Sequence, residues 1–210
     1  MTARPLILLV LLVACTDVAP PDRPEPYPFF IELDDGFRAI FSWPRASLPV
    51  RVWTEPNDDL VQAVVHAIRV WQDAALYGEF SAVIISDSSG ADVIVRQGVA
   101  VELARDTTAF RPDCRAGTTI AATEADSAIV LPFRMLVQRR RGADDGGVSA
   151  CFLTAVAHEL GHTLGILGES DDEADLMHVP PKVSVPSRRD EVTFAMLYHT
   201  PATIRLPSGR

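Results

Sequence analysis

The 210-residue sequence has little of several features that mark particular classes of protein. Acidic residues outnumber basic ones and the formal net charge is −9, which argues against nucleic acid or an anionic membrane surface as the main partner. No internal repeat is apparent, so a repeat architecture is not expected. The apolar run at residues 6–13 is too short to cross a membrane as a helix. Hydrophobic residues make up 48% of the chain, which is enough for a packed core and argues against a disordered protein.

The N-terminal segment has the organisation of a signal peptide. Arg4 supplies a positive charge, the apolar run follows it, and the small residue Ala14 precedes Cys15. Residues 12–15 resemble a bacterial lipobox, and this resemblance implies cleavage before Cys15 and attachment of acyl chains to it. The acyl chains would anchor the protein to a membrane leaflet. An ordinary secretory signal, in which Cys15 has no role, is the alternative.

Three regions are expected along the chain. We predict a lipoprotein signal peptide over residues 1–14, a tether that begins with the lipidated cysteine over residues 15–47, and a folded domain over residues 48–210. Five prolines between residues 20 and 28 favour an extended spacer, because proline cannot donate a backbone hydrogen bond. The expected location is the bacterial cell envelope, with the domain anchored by lipid and facing the periplasm or the exterior.

Hydrophobic periodicity predicts an α+β domain with about five strands and three helices. Strands are expected at residues 49–54, 80–85, 91–97, 117–122 and 127–133. A long first helix is expected to begin after Asn57 or Asp58 and to end near Gly78, and a second to span residues 150–164 and end at Gly165. A last helix is expected to begin at Ser187 or Asp190 and to run through about residue 198.

The most specific feature of the sequence is the pattern His-Glu-x-x-His, followed three residues later by glycine, at residues 158–165. On a helix, His158 and His162 lie on one face, one turn apart. Two imidazoles placed in this way can hold one tetrahedral zinc ion. Glu159 can then act as the general base toward a water molecule that the ion activates. The pattern therefore predicts Zn²⁺ as cofactor, these two histidines as ligands and Glu159 as the catalytic residue.

In the order of its elements the chain resembles the metzincin metalloproteases, and among them the matrixin-like domains. The matching segments are residues 49–53 for the opening strand, Trp71 in the first helix, residues 91–95 for a later strand, residues 158–165 for the metal motif, residues 175–178 for the turn beneath the metal and residues 190–198 for the closing helix. The resemblance covers about residues 48–198. It implies a metzincin-like fold with a twisted mixed sheet, and it implies that Met177 lies beneath the metal in the family's Met-turn.

The chain departs from the family at the third metal ligand. The family places a histidine, or sometimes an aspartate, three residues after the motif glycine, and that position here is Gly168, which has no side chain. An insertion of one residue before this position would bring Glu169 into the ligand place, and a carboxylate oxygen is a competent zinc ligand. We therefore expect Glu169 as the third ligand, with Asp171 as the second choice and His178 as a more remote one. The added negative charge would make the activated water less acidic and could reduce activity.

The sequence has only three cysteines, so Cys114 and Cys151 remain if Cys15 is acylated. In an oxidising envelope compartment two cysteines indicate one possible disulfide. Two free thiols are one alternative. Another is that Cys114 caps the zinc as a latency ligand.

The expected function is that of a zinc-dependent endopeptidase. Glu159 would take the proton of the attacking water and deliver it to the leaving amine. The expected partner is a peptide or protein substrate that binds as an added strand along an edge near residues 129–135, and the protein is expected to be a monomer that contacts a membrane only through its lipid. The alternative is a catalytically weak or inactive lipoprotein that binds a peptide or protein partner. A hydrolase of non-peptide substrates is a third possibility.

Overall fold

The computed structural model describes residues 24–98, 114–119, 122–123, 128–139 and 150–207. Within these ranges the strands are β1 (Ile31–Glu32), β2 (Arg38–Ala39), β3 (Val50–Thr54), β4 (Ala82–Ile84), β5 (Val93–Gln97), β6 (Cys114–Thr119), β7 (Ala122–Thr123), β8 (Ala128–Ile129) and β9 (Phe133–Arg139). The α-helices are α1 (Asp58–Ala74), α2 (Ala150–Thr163) and α3 (Arg188–Tyr198). The described part of the chain is therefore a mixed α/β fold.

The main sheet has five strands in the order β4-β3-β5-β9-β6. The first four strands are parallel, and β6 pairs with β9 in the antiparallel direction. Two short antiparallel pairs, β1 with β2 and β7 with β8, lie outside this sheet. The expectation of a mixed sheet of about five strands is confirmed at this level of detail.

One expected strand is placed differently. The strand predicted at residues 127–133 is reduced to β8, and the sheet strand that follows it begins only at Phe133. Pro132 lacks an amide hydrogen, so the hydrogen-bonded ladder with β5 begins after it. The prediction that residues 129–135 form a substrate-binding edge is wrong, because β9 lies between β5 and β6. The edge strands of the described sheet are β4 and β6.

The helices are close to the predicted ones, and their ends follow from local chemistry. The side-chain oxygen of Asn57 accepts a hydrogen bond from the amide of Leu60 (3.0 Å) and caps α1. Helix α3 begins after Ser187, which forms a reciprocal capping box with Asp190. Helix α2 ends at Thr163, just before Gly165 (φ 107°). A Cβ atom at Gly165 would lie 1.9 Å from the carbonyl oxygen of Phe41, so only glycine fits this turn.

The core joins α1, α2 and one face of the sheet. The buried face of α1 carries eight residues at helical spacing (Leu60, Ala63, Val64, Ala67, Ile68, Val70, Trp71 and Ala74). The indole nitrogen of Trp71 donates a hydrogen bond to the carbonyl of Ala157 in α2 (2.8 Å). This bond and the surrounding apolar contacts fix the helix that carries the metal motif against α1.

The domain begins earlier in the chain than predicted. Residues 15–47 were expected to form a tether, but Tyr27, Phe29, Phe41 and Trp43 are buried in the core. The indole nitrogen of Trp43 donates a hydrogen bond to the carbonyl of Thr163 at the end of α2 (2.8 Å). Since aromatic side chains bury the largest apolar areas, this segment is an integral part of the fold. The boundary expected at residue 48 is therefore wrong, and the packed domain starts at or before Tyr27.

Some predictions fall on residues outside the described ranges. The signal peptide and Cys15 are among them, as are the side chains of Cys114 and Cys151, so the lipid anchor and the disulfide stay predictions. In the ranges that are described, no helix has both the length and the apolar character needed to cross a membrane.

Candidate metal centre

Helix α2 presents both motif histidines on one face, with each ring fixed by a backbone carbonyl. Nδ1 of His158 donates a hydrogen bond to the carbonyl oxygen of Leu176 (2.9 Å), and Nδ1 of His162 donates to that of Ile166 (2.7 Å). A carbonyl oxygen can only accept, so the proton of each neutral ring lies on Nδ1. Each Nε2 is then left with a lone pair, which is the form in which imidazole binds a metal.

Glu169 lies close to these two nitrogen atoms. It belongs to the loop that follows α2 (residues 165–170), which we name the ligand loop. Nε2 of His158 and Nε2 of His162 are 3.2 Å apart. Oε2 of Glu169 lies 3.5 Å from Nε2 of His158, and Oε1 of Glu169 lies 3.3 Å from Nε2 of His162. A tetrahedral ion with ligand bonds of about 2.0–2.1 Å separates its ligand atoms by about 3.3 Å. These separations are close to that value, so the three side chains form a group that could hold a metal ion.

The other predicted third ligands lie elsewhere. Asp171 has a side chain that is 86% exposed, and it forms an ion pair with Arg189 (2.7 Å). Nδ1 of His178 donates to the carbonyl oxygen of Pro180 (3.1 Å). Neither residue belongs to the metal-ligating group that the described residues form, which consists of His158, His162 and Glu169. The geometry thus favours Glu169 over both alternatives.

Met177 packs against the helix that carries the two histidines. This residue is fully buried, and a Cβ atom at Gly161 would lie 2.5 Å from its sulfur and 2.8 Å from Cζ2 of Trp71. The helix can therefore approach Met177 and Trp71 closely only because residue 161 is glycine. The role of Met177 in a Met-turn beneath a metal ion stays a prediction.

Two residues of this region were not identified from the sequence as part of the site. Thr118, on edge strand β6, donates a hydrogen bond from its hydroxyl to Oε2 of Glu159 (2.7 Å). Asp190, expected only as a possible helix cap, accepts hydrogen bonds from the amides of Leu176 (2.7 Å) and Met177 (3.4 Å). Both contacts join segments far apart in the chain, and no local pattern indicates them.

The ionisable groups of the site change one another's pKa. Burial and, to a smaller extent, the neighbouring His162 lower the pKa of His158 to about 4. Burial also acts to lower the pKa of His162, but the hydrogen bond to Glu169 and the charges of Glu159 and Glu169 outweigh it and raise this pKa to about 9. Burial raises the pKa of Glu159, partly offset by His162 and Thr118. In the metal-free protein at neutral pH, His162 therefore carries the proton of the cluster.

The charge state of His162 makes metal binding depend on pH. A metal ion must displace the proton from His162, whose pKa is about 9, while His158 is already neutral above about pH 4. We therefore expect the affinity for Zn²⁺, measured by competition with a chelator, to rise about tenfold per pH unit up to about pH 9 and then to level off. An affinity that stays constant between about pH 6 and 8 would contradict this assignment of the proton.

The role of Glu169 is testable with a matched pair of substitutions. Glu169→Gln removes a charged oxygen from the cluster, whereas Asp171→Asn makes the same change at an exposed residue paired with Arg189. We expect Glu169→Gln to weaken Zn²⁺ binding by more than the roughly 10–100-fold that loss of an outer hydrogen-bond partner costs. Asp171→Asn should leave the affinity unchanged. The reverse ranking in a chelator competition assay would assign the third ligand to Asp171.

Comparison of the chain with models of known protein families finds no match, and a search among curated proteins finds none either. The resemblance to matrixin-like domains therefore stays a prediction.

Proposed function

We propose that this protein is a zinc-dependent endopeptidase of the metzincin type, related to the matrixin-like domains. One observation supports this more than any other. His158, His162 and Glu169 converge at tetrahedral spacing beside Glu159, a buried carboxylate on the same turn of α2. A site built only to hold a structural ion has no evident need for the second carboxylate.

The donor set supports zinc in particular. Two imidazole nitrogens and one carboxylate oxygen form a ligand set that is common for catalytic zinc, and three protein ligands leave the fourth position open. When bound, zinc would polarise a water molecule and the carbonyl group of the scissile bond. The residues that would hold it are His158, His162 and Glu169.

Glu159 would move the proton of the reaction. Thr118 donates to its Oε2, so the second carboxylate oxygen is the one available to accept a proton from water. The water oxygen bonds to the carbonyl carbon, and Glu159 later delivers the proton to the nitrogen as the carbon–nitrogen bond breaks. Because burial raises the pKa of Glu159, its carboxylate is a stronger base than an exposed glutamate.

The substrate would bind along β6 and not along residues 129–135. Strand β6 is an edge of the described sheet, and it carries Thr118, whose hydroxyl lies 3.2 Å from the backbone carbonyl of Glu159. An extended peptide that pairs with such an edge is held by main-chain hydrogen bonds. Its scissile bond would then lie beside the base and the metal ligands.

The cellular setting is proposed from the N-terminal sequence. The lipobox-like residues 12–15 and the prolines that follow support a lipoprotein of the bacterial envelope, anchored through Cys15. The protease would then act as a monomer on peptides or proteins at a membrane surface. A single disulfide between Cys114 and Cys151 is compatible with that compartment.

Substitution of Glu159 separates catalysis from metal binding. Glu159→Gln should reduce peptide cleavage by about 10²–10⁴-fold, because the general base is lost, while Zn²⁺ affinity is retained. Glu173→Gln is the matched control, since Glu173 is exposed and paired with Lys182. The measurements are cleavage of a peptide library and metal content of the same samples. Cleavage by Glu159→Gln at the wild-type rate would exclude Glu159 as the base, and a wild-type protein that binds zinc without cleaving would favour the partner-binding alternative.

A further inference from the structure

Residues 25–29 lie across the ligand loop, and we name them the N-terminal strap. The carbonyl oxygen of Phe29 accepts a hydrogen bond from the amide of Leu167 (3.0 Å). The next residue of the loop is Gly168, where a Cβ atom would lie 2.0 Å from the carbonyl oxygen of Pro28. The backbone conformation of Gly168 is one that other residues adopt, so glycine is required there only because a side chain would have no space. The residue that breaks the family pattern is therefore a glycine because the strap occupies the position of a side chain.

The other end of the strap is fastened to α3. The hydroxyl of Tyr27 donates to Oδ1 of Asp190 (2.6 Å), and the amide of Tyr27 donates to the hydroxyl of Thr193 (3.2 Å). Nε of Arg189 donates to the carbonyl of Glu25 (3.0 Å), and its guanidinium lies over the ring of Tyr27. Tyr27 is only 2% exposed, so these bonds are shielded from water.

Asp190 connects the strap to the first metal ligand. The second oxygen of Asp190 accepts from the amide of Leu176 (2.7 Å), and the carbonyl of Leu176 accepts from Nδ1 of His158 (2.9 Å). A continuous series of hydrogen bonds therefore runs from Tyr27 through Asp190 and Leu176 to His158. The strap thus reaches the metal centre by two routes, one through the ligand loop and one through the turn that carries Met177.

The side chain of Glu169 is 44% exposed, so the path of its backbone is important for the position of its carboxylate. The loop is anchored on both sides of this residue. The amide of Leu167 donates to Phe29, and the amide of Ser170 donates to the carbonyl of Met177 (2.8 Å). Without the strap, the loop loses the hydrogen bond at Leu167 and keeps those at Ile166 and Ser170.

We propose that the N-terminal strap is a positioning element of the metal centre. The two key residues are Tyr27 in the strap and Gly168 in the ligand loop, and they act by fixing the backbone from which Glu169 and His158 would reach the ion. This inference rests on the proposed metal centre. It extends the functional part of the protein to residues 25–29, which lie within the segment predicted as a tether (residues 15–47).

The test uses two substitutions and two matched controls in the full chain. Tyr27→Phe removes the hydroxyl that bonds Asp190, and Gly168→Ala places a methyl group where the carbonyl of Pro28 lies. Tyr77→Phe makes the first change at an exposed tyrosine, and Gly90→Ala makes the second where the nearest atoms are 3.9 Å away. In a chelator competition assay we expect Zn²⁺ affinity to fall about 10–100-fold for the first pair and to stay unchanged for the controls.

A second readout does not depend on metal or on cleavage. Hydrogen exchange of the metal-free proteins should show faster exchange at the amides of Leu167 and Leu176 in Tyr27→Phe, with α1 as well protected as in the wild type. Retained protection of α1 shows that the fold is intact, and Tyr27→Phe keeps the test available if Gly168→Ala does not fold. Wild-type zinc affinity together with unchanged exchange at both amides would overturn the proposal.

Failure of the proposed function gives a different result. If the wild-type chain binds no zinc, the metal centre is wrong, and the exchange data alone decide whether the strap orders the ligand loop. If zinc binds but no peptide is cleaved, protease activity is wrong, and the zinc affinities still decide the role of the strap. If Tyr27→Phe and Tyr77→Phe lower the affinity equally, the strap has no specific role.

Discussion

The hydrogen bonds from the two motif histidines to backbone carbonyls determine what the rest of the site can do. Because Leu176 and Ile166 accept from the Nδ1 atoms, both Nε2 atoms are directed at the same small volume. The carbonyl of Ile166 belongs to the ligand loop itself. The same turn that orients His162 therefore also leads the chain back toward Glu169, and Gly165 makes this turn possible through its positive φ.

Asp190 has a comparable role for the surroundings of the site. It is fully buried, and burial raises its pKa, an effect that hydrogen bonds from Tyr27, Ser187 and Leu176 partly offset. A buried carboxylate without hydrogen-bond partners would lower the stability of the fold. The strap, the start of α3 and the turn that carries Met177 are therefore held together around Asp190. Segments that are far apart in the chain thus meet at one carboxylate.

Local features of this protein could be predicted from the sequence, because they depend on residues close together in the chain. The histidine spacing on α2, the caps at Asn57 and Ser187 and the turn at Gly165 are of this kind. The prediction of Glu169 as third ligand is also local, because it requires only that the ligand position is shifted by one residue from Gly168. The contact of Thr118 with Glu159, the packing of Trp43 and the interior position of β9 depend on how distant segments meet, which no local pattern encodes. The prolines of the strap predict a spacer, whereas Tyr27 and Phe29, each of which follows a proline, are buried in the core.

The proposed function requires that two imidazoles and one carboxylate hold a single zinc ion. Glu169 would be the third ligand, because Gly168, at the position where the family has its third ligand, has no side chain. Zinc-edge X-ray absorption of the zinc-loaded protein tests this most directly. We predict nitrogen and oxygen neighbours at about 2.0–2.1 Å, with the outer-shell pattern of two imidazoles and no sulfur. A sulfur neighbour at about 2.3 Å, or the pattern of three imidazoles, would contradict it.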